Sequence, residues 1–261
     1  MKRLIGKVCA LIMLTTGTSY AAHPLVSDDA GTLGHGTVQI ELNADIGTDK
    51  ETREAVTTKY KSSQIATTAG IGVTDKMDVT FGYTRPWGDG NVNGASFKDT
   101  GSSDFSLSMK WQAYEYEGFS IAVKPQIGYS YAVGKSENDY TMSYGTAMIF
   151  TKEIEPFAFH LNVGYTYNGY NLASVRDANR NSIWNFSLGT TYEVIKEHLK
   201  LVADFGAATN QDKTVSVMPV FGLAGFIYSV NKNIDLSVGG KVGLTEPETD
   251  LTGTFGITLK F

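Results

Sequence analysis

The sequence predicts an all-β protein, a transmembrane antiparallel up-and-down β-barrel of about 12 strands. Three observations predict it. Leu251–Phe261 alternates without a break, with Leu251, Gly253, Phe255, Ile257, Leu259 and Phe261 on one face and Thr252, Thr254, Gly256, Thr258 and Lys260 on the other. That span is about as long as a tilted strand needs to cross a bilayer. The same period recurs between turn signals along the whole chain, and no stretch approaches the roughly 18 consecutive apolar residues of a membrane helix.

At the N-terminus, Lys2, Arg3 and Lys7 precede an apolar run from Val8 to Leu14, and Ser19, Tyr20 and Ala21 supply a small-residue cleavage site. Residues 1–21 read as a signal peptide, the run being too short to span. The single cysteine, Cys9, lies within it, so the mature chain carries no disulfide framework and no thiolate metal site. Taking Lys2, Arg3 and Lys7 from the 22 basic residues leaves 19 against 27 acidic ones, a net charge of −8 that argues against nucleic acid as a partner.

Residues 22–36 read as a periplasmic N-terminal segment and 37–261 as the barrel. The candidate strands, in order, are Thr37–Gly47, Thr58–Gly72, Met77–Arg85, Ser103–Tyr114, Gly118–Val133, Asp139–Thr151, Pro156–Gly169, Asn181–Tyr192, His198–Ala208, Thr214–Ser229, Asn233–Gly243 and Asp250–Phe261. Each alternates and is bounded by turn residues. The connections alternate too. Short turns (Val73–Lys76, Glu115–Glu117, Lys152–Glu155, Val194–Glu197, Val230–Lys232) take turns with mostly longer polar loops, of which Pro86–Ser102 is the longest and the most flexible by composition. Short turns on one rim and long loops on the other is the outer-membrane arrangement, with both chain ends on the periplasmic, short-turn side.

A barrel of about 12 strands is too wide for inward side chains to fill, so the apolar face must look out. The outward sets then include Ile40, Leu42 and Ile46; Phe105, Leu107, Met109 and Trp111; and Phe157, Phe159, Leu161 and Val163. Aromatic residues bunch near both strand ends, as two headgroup-level girdles would require.

Inside, nine glycines form a belt: Gly82, Gly128, Gly145, Gly164, Gly189, Gly206, Gly222, Gly239 and Gly256. Glycine weakens a strand, so the belt implies a bending wall or a widened lumen. The expected lining charges are Glu41, Asp45, Asp78, Asp104, Asp204 and Asp235 against Lys110, Lys124, Lys200, Lys241 and Lys260, which either plug the lumen as a network or leave a narrow aqueous path. Thr214–Ser229 is apolar on both faces, and the assignment of Met218, Val220 and Phe226 to the inside makes an apolar lumen strip. Its cover is protein, either the segment before the first strand or the long loop, or else a hydrophobic substrate.

The run Pro24-Leu25-Val26-Ser27-Asp28-Asp29-Ala30-Gly31-Thr32-Leu33-Gly34-His35-Gly36, followed by Gln39-Ile40-Glu41-Leu42-Asn43, resembles the mature N-terminus of a family of Gram-negative outer-membrane barrel transporters linked to the meta-pathway of phenol degradation. Ser27 stands where threonine is usual. The resemblance implies a barrel over the whole mature chain and movement of small, aromatic or otherwise hydrophobic compounds. The closing strand and its terminal Phe261 are likewise similar to those of outer-membrane barrels, which implies the barrel assembly machinery as a partner. Asp28 and Asp29 are expected as a solvated acidic turn beside Gly31, with a cation or partner site at the periplasmic mouth as the alternative.

An enzyme is not expected. His160 faces inward, His198 sits at a turn, His23 and His35 precede the barrel, and no nucleophile, base and orienter assemble around them. Neither a phosphate loop nor a metal-ligand spacing is present, so no cofactor is expected. The expected function is a narrow passive channel or uptake protein for small molecules, with membrane lipid and a small solute as partners. The alternative is a closed structural or adhesive barrel that binds through its extracellular loops.

Overall fold

The computed structural model describes residues 23–53, 56–134 and 139–261; the leader expected at 1–21 lies outside them. The strands are β1 (Val38–Arg53), β2 (Val56–Thr74), β3 (Met77–Val92), β4 (Ala95–Asp99), β5 (Ser102–Tyr116), β6 (Phe119–Ala132), β7 (Tyr140–Ile154), β8 (Phe157–Tyr170), β9 (Ser182–Ile195), β10 (Leu199–Ala208), β11 (Val220–Asn231), β12 (Ile234–Gly243) and β13 (Leu251–Lys260). Among the described residues one turn-and-a-half helix, α1 (Ala173–Ala178), lies between β8 and β9. Consecutive strands pair antiparallel along the chain, except that β4 pairs only with the far part of β3, which reaches past it to β5, and β13 pairs with β1. Twelve strands therefore close a barrel that has no open edge within the wall.

Polarity follows the pleat. Leu42, Ile46, Phe81, Leu107, Trp111, Leu161, Leu188 and Phe255 are all exposed on the outer face, Ile46 at 60% and Leu188 at 54%. An outer surface of this apolar area is accommodated by acyl chains, not by water. Rings meet across strands near the rims: Tyr83 with Phe105 at 5.1 Å, Tyr165 with Trp184 at 5.0 Å, and Phe157 with Tyr192 at 4.8 Å.

The fold departs from the sequence expectation at the longest loop. Pro86–Ser102 is not a loose loop: β3 runs on to Val92, turns through Asn93 and Gly94, and returns as β4, with Gly90 paired to Phe97. Both turn residues have positive φ (49° and 93°), the combination a two-residue hairpin turn demands and Asn-Gly supplies. The glycine content that suggested flexibility serves packing instead, since a Cβ on Gly90 would meet the Phe97 ring. The segment read as periplasmic, residues 22–36, which the sequence also offered as a cover inside the lumen, is threaded into the lumen over its described part, 23–36.

Candidate functional site

The inner wall supplies the partners that an irregular segment needs, because its backbone groups have no strand to pair with. His23 places Nδ1 and Nε2 each 2.6 Å from a hydroxyl, Ser237 on β12 and Thr254 on β13. The N–H groups of Val26 and Ser27 donate to Asp204 Oδ2 on β10 at 2.7 and 2.6 Å, and Ser27 Oγ donates to Oδ1 at 2.8 Å. Asn162 on β8 brackets Asp28, accepting from its N–H and donating to its carbonyl, both at 2.8 Å. Ala30 N donates to Thr151 Oγ1 on β7, Leu33 N to the Asp78 carboxylate on β3, and Gly36 N to the Gly72 carbonyl on β2.

Asp28 is the electrostatic anchor. It is 1% exposed, and its two oxygens face Lys110 Nζ at 3.2 Å and Lys124 Nζ at 2.9 Å. Lys110 also donates to the Asp29 carbonyl at 3.1 Å. Burial alone would raise the Asp28 carboxyl, yet the two ammonium groups outweigh it and hold the group below its ordinary range. Burial likewise keeps the His23 ring neutral, its pKa lowered to about 4 against the opposing pull of Asp45. The expected solvated acidic turn is thus corrected for Asp28: charge-complementary lysines inside the wall draw it out of water. Asp29 does make the turn, accepting from Gly31 N at 2.7 Å.

Other expected lining charges also face inward. Glu41 is buried beside Gln39, Asp45 accepts from Gln64, Asp104 from Ser102 and Ser130, and Asp235 pairs with Lys260 at 2.8 Å. Lys200 is exposed near the periplasmic end of β10. Three glycines of the expected belt underlie the segment. A Cβ on Gly189 would come within 2.8 Å of Ser27 Cβ, one on Gly239 within 2.9 Å of Pro24, and one on Gly256 within 2.5 Å of His23. Gly72 and Gly225, outside the expected set, do the same for Gly34 and Pro24. Gly82, Gly128, Gly145, Gly164 and Gly206 face inward against wall residues.

The apolar strip carries the wrong phase in the sequence. Directly opposed residues of paired strands share a face. Leu223 opposes Asp204, Phe221 opposes Gly206, and Gly225 opposes Val202, so Phe221, Leu223, Gly225 and Ile227 point inward. Phe226, 45% exposed, and Val220 belong to the outer face, and Met218 to the loop before β11. Gly222, opposite Phe205 and Val242, is outward as well. A strand apolar on both faces gives hydropathy nothing with which to choose; register with charged β10 decides. The true strip is covered by protein: Leu25 packs with Val202 and Ile227. Ala30 fills a second apolar contact with Ala122 and Ile149.

Beyond the segment, toward the long loops, a cavity of about 170 Å³ opens. Val26, Asp28 and Lys124 form part of its lining, with Gln126, Asn162, Asn168 and Asn185 as uncharged polar groups and Ala147, Ile149, Ile183, Pro219 and Phe221 as apolar ones. Lys241, ion-paired to Glu248 at 2.8 Å, sits 5.4 Å over the Phe221 ring at its edge. The loop from 209 to 219 contributes Thr209, Gln211 and Pro219, and Arg180 fastens it by donating to the carbonyls of Asn210, Asp212, Lys213 and Val215. Arg180, Glu248 and Asn162 were not singled out from sequence, since a cross-loop or cross-lumen contact leaves no local pattern. His160 bonds Thr151 at 3.1 Å, and His198 lies exposed at a periplasmic turn.

A model of the family described as "Putative MetA-pathway of phenol degradation" matches residues 24–261. Among solved structures, the chain is similar to the COG4313 outer membrane channel from Pseudomonas putida F1 (TM-score 0.66, 11% identity, covering 89% of this chain and 98% of that one). It is also similar to the transport unit of the autotransporter AIDA-I from Escherichia coli (0.60, 9%, 99% and 97%) and to the KdgM porin solved with disordered oligogalacturonate (0.54, 7%, 85% and 99%). At these identities the likeness is one of fold. No curated protein matches the chain in sequence.

Proposed function

Because the chain belongs to the MetA-pathway phenol degradation family of Gram-negative outer-membrane barrels, we propose that it is a narrow passive channel for small molecules, closed in the present state by residues 23–36. The carrying observation is the cavity of about 170 Å³ whose floor is a segment held to the wall by hydrogen bonds, the Asp28 ion pairs and two small apolar contacts. Such contacts can be made and broken without disturbing the hydrogen-bonded wall. The cavity is close in volume to one of about 150 Å³ that accommodates benzene, and its apolar walls with uncharged amide groups suit a ring-sized, weakly polar solute. The family's description and the likeness in fold to the Pseudomonas channel support this reading. We read the exposed Phe261 as part of the signal for the barrel assembly machinery.

Solute-driven swelling of liposomes containing the purified barrel tests the proposal. A small aromatic alcohol should equilibrate faster than a disaccharide of similar concentration, and the difference should grow when the segment is released. Equal permeability to both, or none to either with the segment removed, contradicts it. The filled lumen also favours a second reading, a closed scaffold acting through its outer loops, and the last of those outcomes would support that one.

A further inference from the structure

We infer that the outer surface of β1–β4, just beyond the apolar belt, is a binding site for a phosphorylated glycolipid of the outer leaflet. Register arranges the outward residues in rows across these strands. The last row of the belt is Ile46, Ser63 and Trp87. The next is Thr48, Lys61, Asp89 and Lys98, and the one after is Lys50, Lys59, Asn91 and Ser96. Rows on one face are about 7 Å apart, so the cationic rows begin where acyl chains give way to headgroups.

Lys50 and Lys59 are directly opposed partners, an arrangement of like charges that costs stability in a sheet unless an anion lies between them. All four lysines are exposed, and among the described residues neither they nor Asp89 form an ion pair within 4.0 Å. Lysines also guard open sheet edges, but Lys59 and Lys61 lie on β2, which is paired on both sides here, so edge protection does not account for them. The chain as a whole is acidic, with a formal net charge of −5, whereas among the described residues these rows carry four lysines against Asp89, with the Asp250 carboxylate accepting from the Lys50 N–H at their margin. Thr48, Asn91 and Ser96 add neutral groups able to bond sugar hydroxyls, and Trp87 offers a ring at the acyl boundary. Cationic groups with neutral hydrogen-bonding neighbours, continuous with a lipid-facing surface, match a bis-phosphorylated saccharide whose acyl chains lie along the barrel.

Native mass spectrometry of the full-length barrel in neutral detergent, titrated with bis-phosphorylated lipid A, monophosphoryl lipid A or inorganic phosphate, tests this. The bis-phosphorylated lipid should be retained most strongly, and K59Q/K61Q should weaken it at least tenfold. K50Q/K98Q, on the flanking strands, should act in the same direction. K196Q/K232Q, at exposed periplasmic turns, should leave retention unchanged. Heat-modifiable mobility reports that each variant is folded. The inference is overturned by equal retention in wild type and K59Q/K61Q, by an equal loss in the periplasmic variant, or by displacement with millimolar inorganic phosphate, which would mark a simple anion site. None of these results bears on whether the lumen conducts.

Discussion

Asp28 of the N-terminal segment and Lys124 of β6 are joined inside the barrel by an ion pair of 2.9 Å, both side chains at most 4% exposed. Lys110 completes the arrangement from β5. Two buried cations on one wall thus face one carboxylate carried by the N-terminal segment.

Asp28→Asn removes the shared anion and leaves two ammonium groups facing each other. Breaking a buried pair in this way costs about 3–5 kcal/mol, more than the neighbouring hydrogen bonds at about 1 kcal/mol each readily offset. The segment should leave the lumen while the barrel stays folded. Limited proteolysis should then cleave near residues 23–36 in the variant and spare them in the wild type.

Gly239→Ala tests the steric fit separately from charge. The new Cβ would lie 2.9 Å from Pro24 Cβ and Cγ, inside normal contact, with the wall unable to retreat. A cost of about 1–3 kcal/mol is expected at the start of the segment, read as faster hydrogen exchange of the Val26 and Ser27 amides. Gly253→Ala, where the nearest atom is 3.8 Å away, should leave that exchange unchanged.

Acid should loosen the segment. His23 is docked neutral, with its folded pKa lowered from 6.5 to about 4, so its contribution is full above about pH 6.5 and is lost as pH falls toward 4. The groups facing it are Ser237 and Thr254, with Asp45 the nearby charge that opposes the shift. Asp28, also lowered, adds a second loss at more acid pH, because protonation discards its ion pairs. Protease sensitivity of the segment should rise between pH 6.5 and 4, and His23→Gln should flatten that part of the profile.

Arg180→Ala should free the loop over the cavity without weakening the barrel. Its guanidinium bonds carbonyls of 210, 212, 213 and 215, and each bond to a charged donor contributes about 1.5–3 kcal/mol. Cleavage within 209–219 by added protease should accelerate, with the melting temperature of the wall little changed.

The wall was legible because period-2 alternation fixes both strand and face wherever one side is polar, as in β1, β6, β8 and β13. β11 shows the limit. With both faces apolar, its phase came only from pairing with Asp204 and Val202 of β10, a non-local fact. Asn93-Gly94 carried a hairpin signal that the surrounding glycines and aspartates obscured. Lys110, Lys124 and Asp204 were recognisable as lumen charges, but not their partners, since Asp28 lies 82 residues from Lys110 and 96 from Lys124 in sequence. The glycine belt was visible in part. What several of those glycines make room for was not, because close approach by a distant segment leaves no trace in the strand's own pattern.

Single-channel conductance in planar bilayers, comparing the wild-type barrel with Asp28→Asn and with a form lacking residues 24–33, tests the central claim most directly. Small, noisy currents in the wild type and larger, steady openings in both variants are the predicted result. Identical currents in all three, or silence from the truncated barrel when it is demonstrably folded and inserted, would contradict a channel closed by its own N-terminal segment.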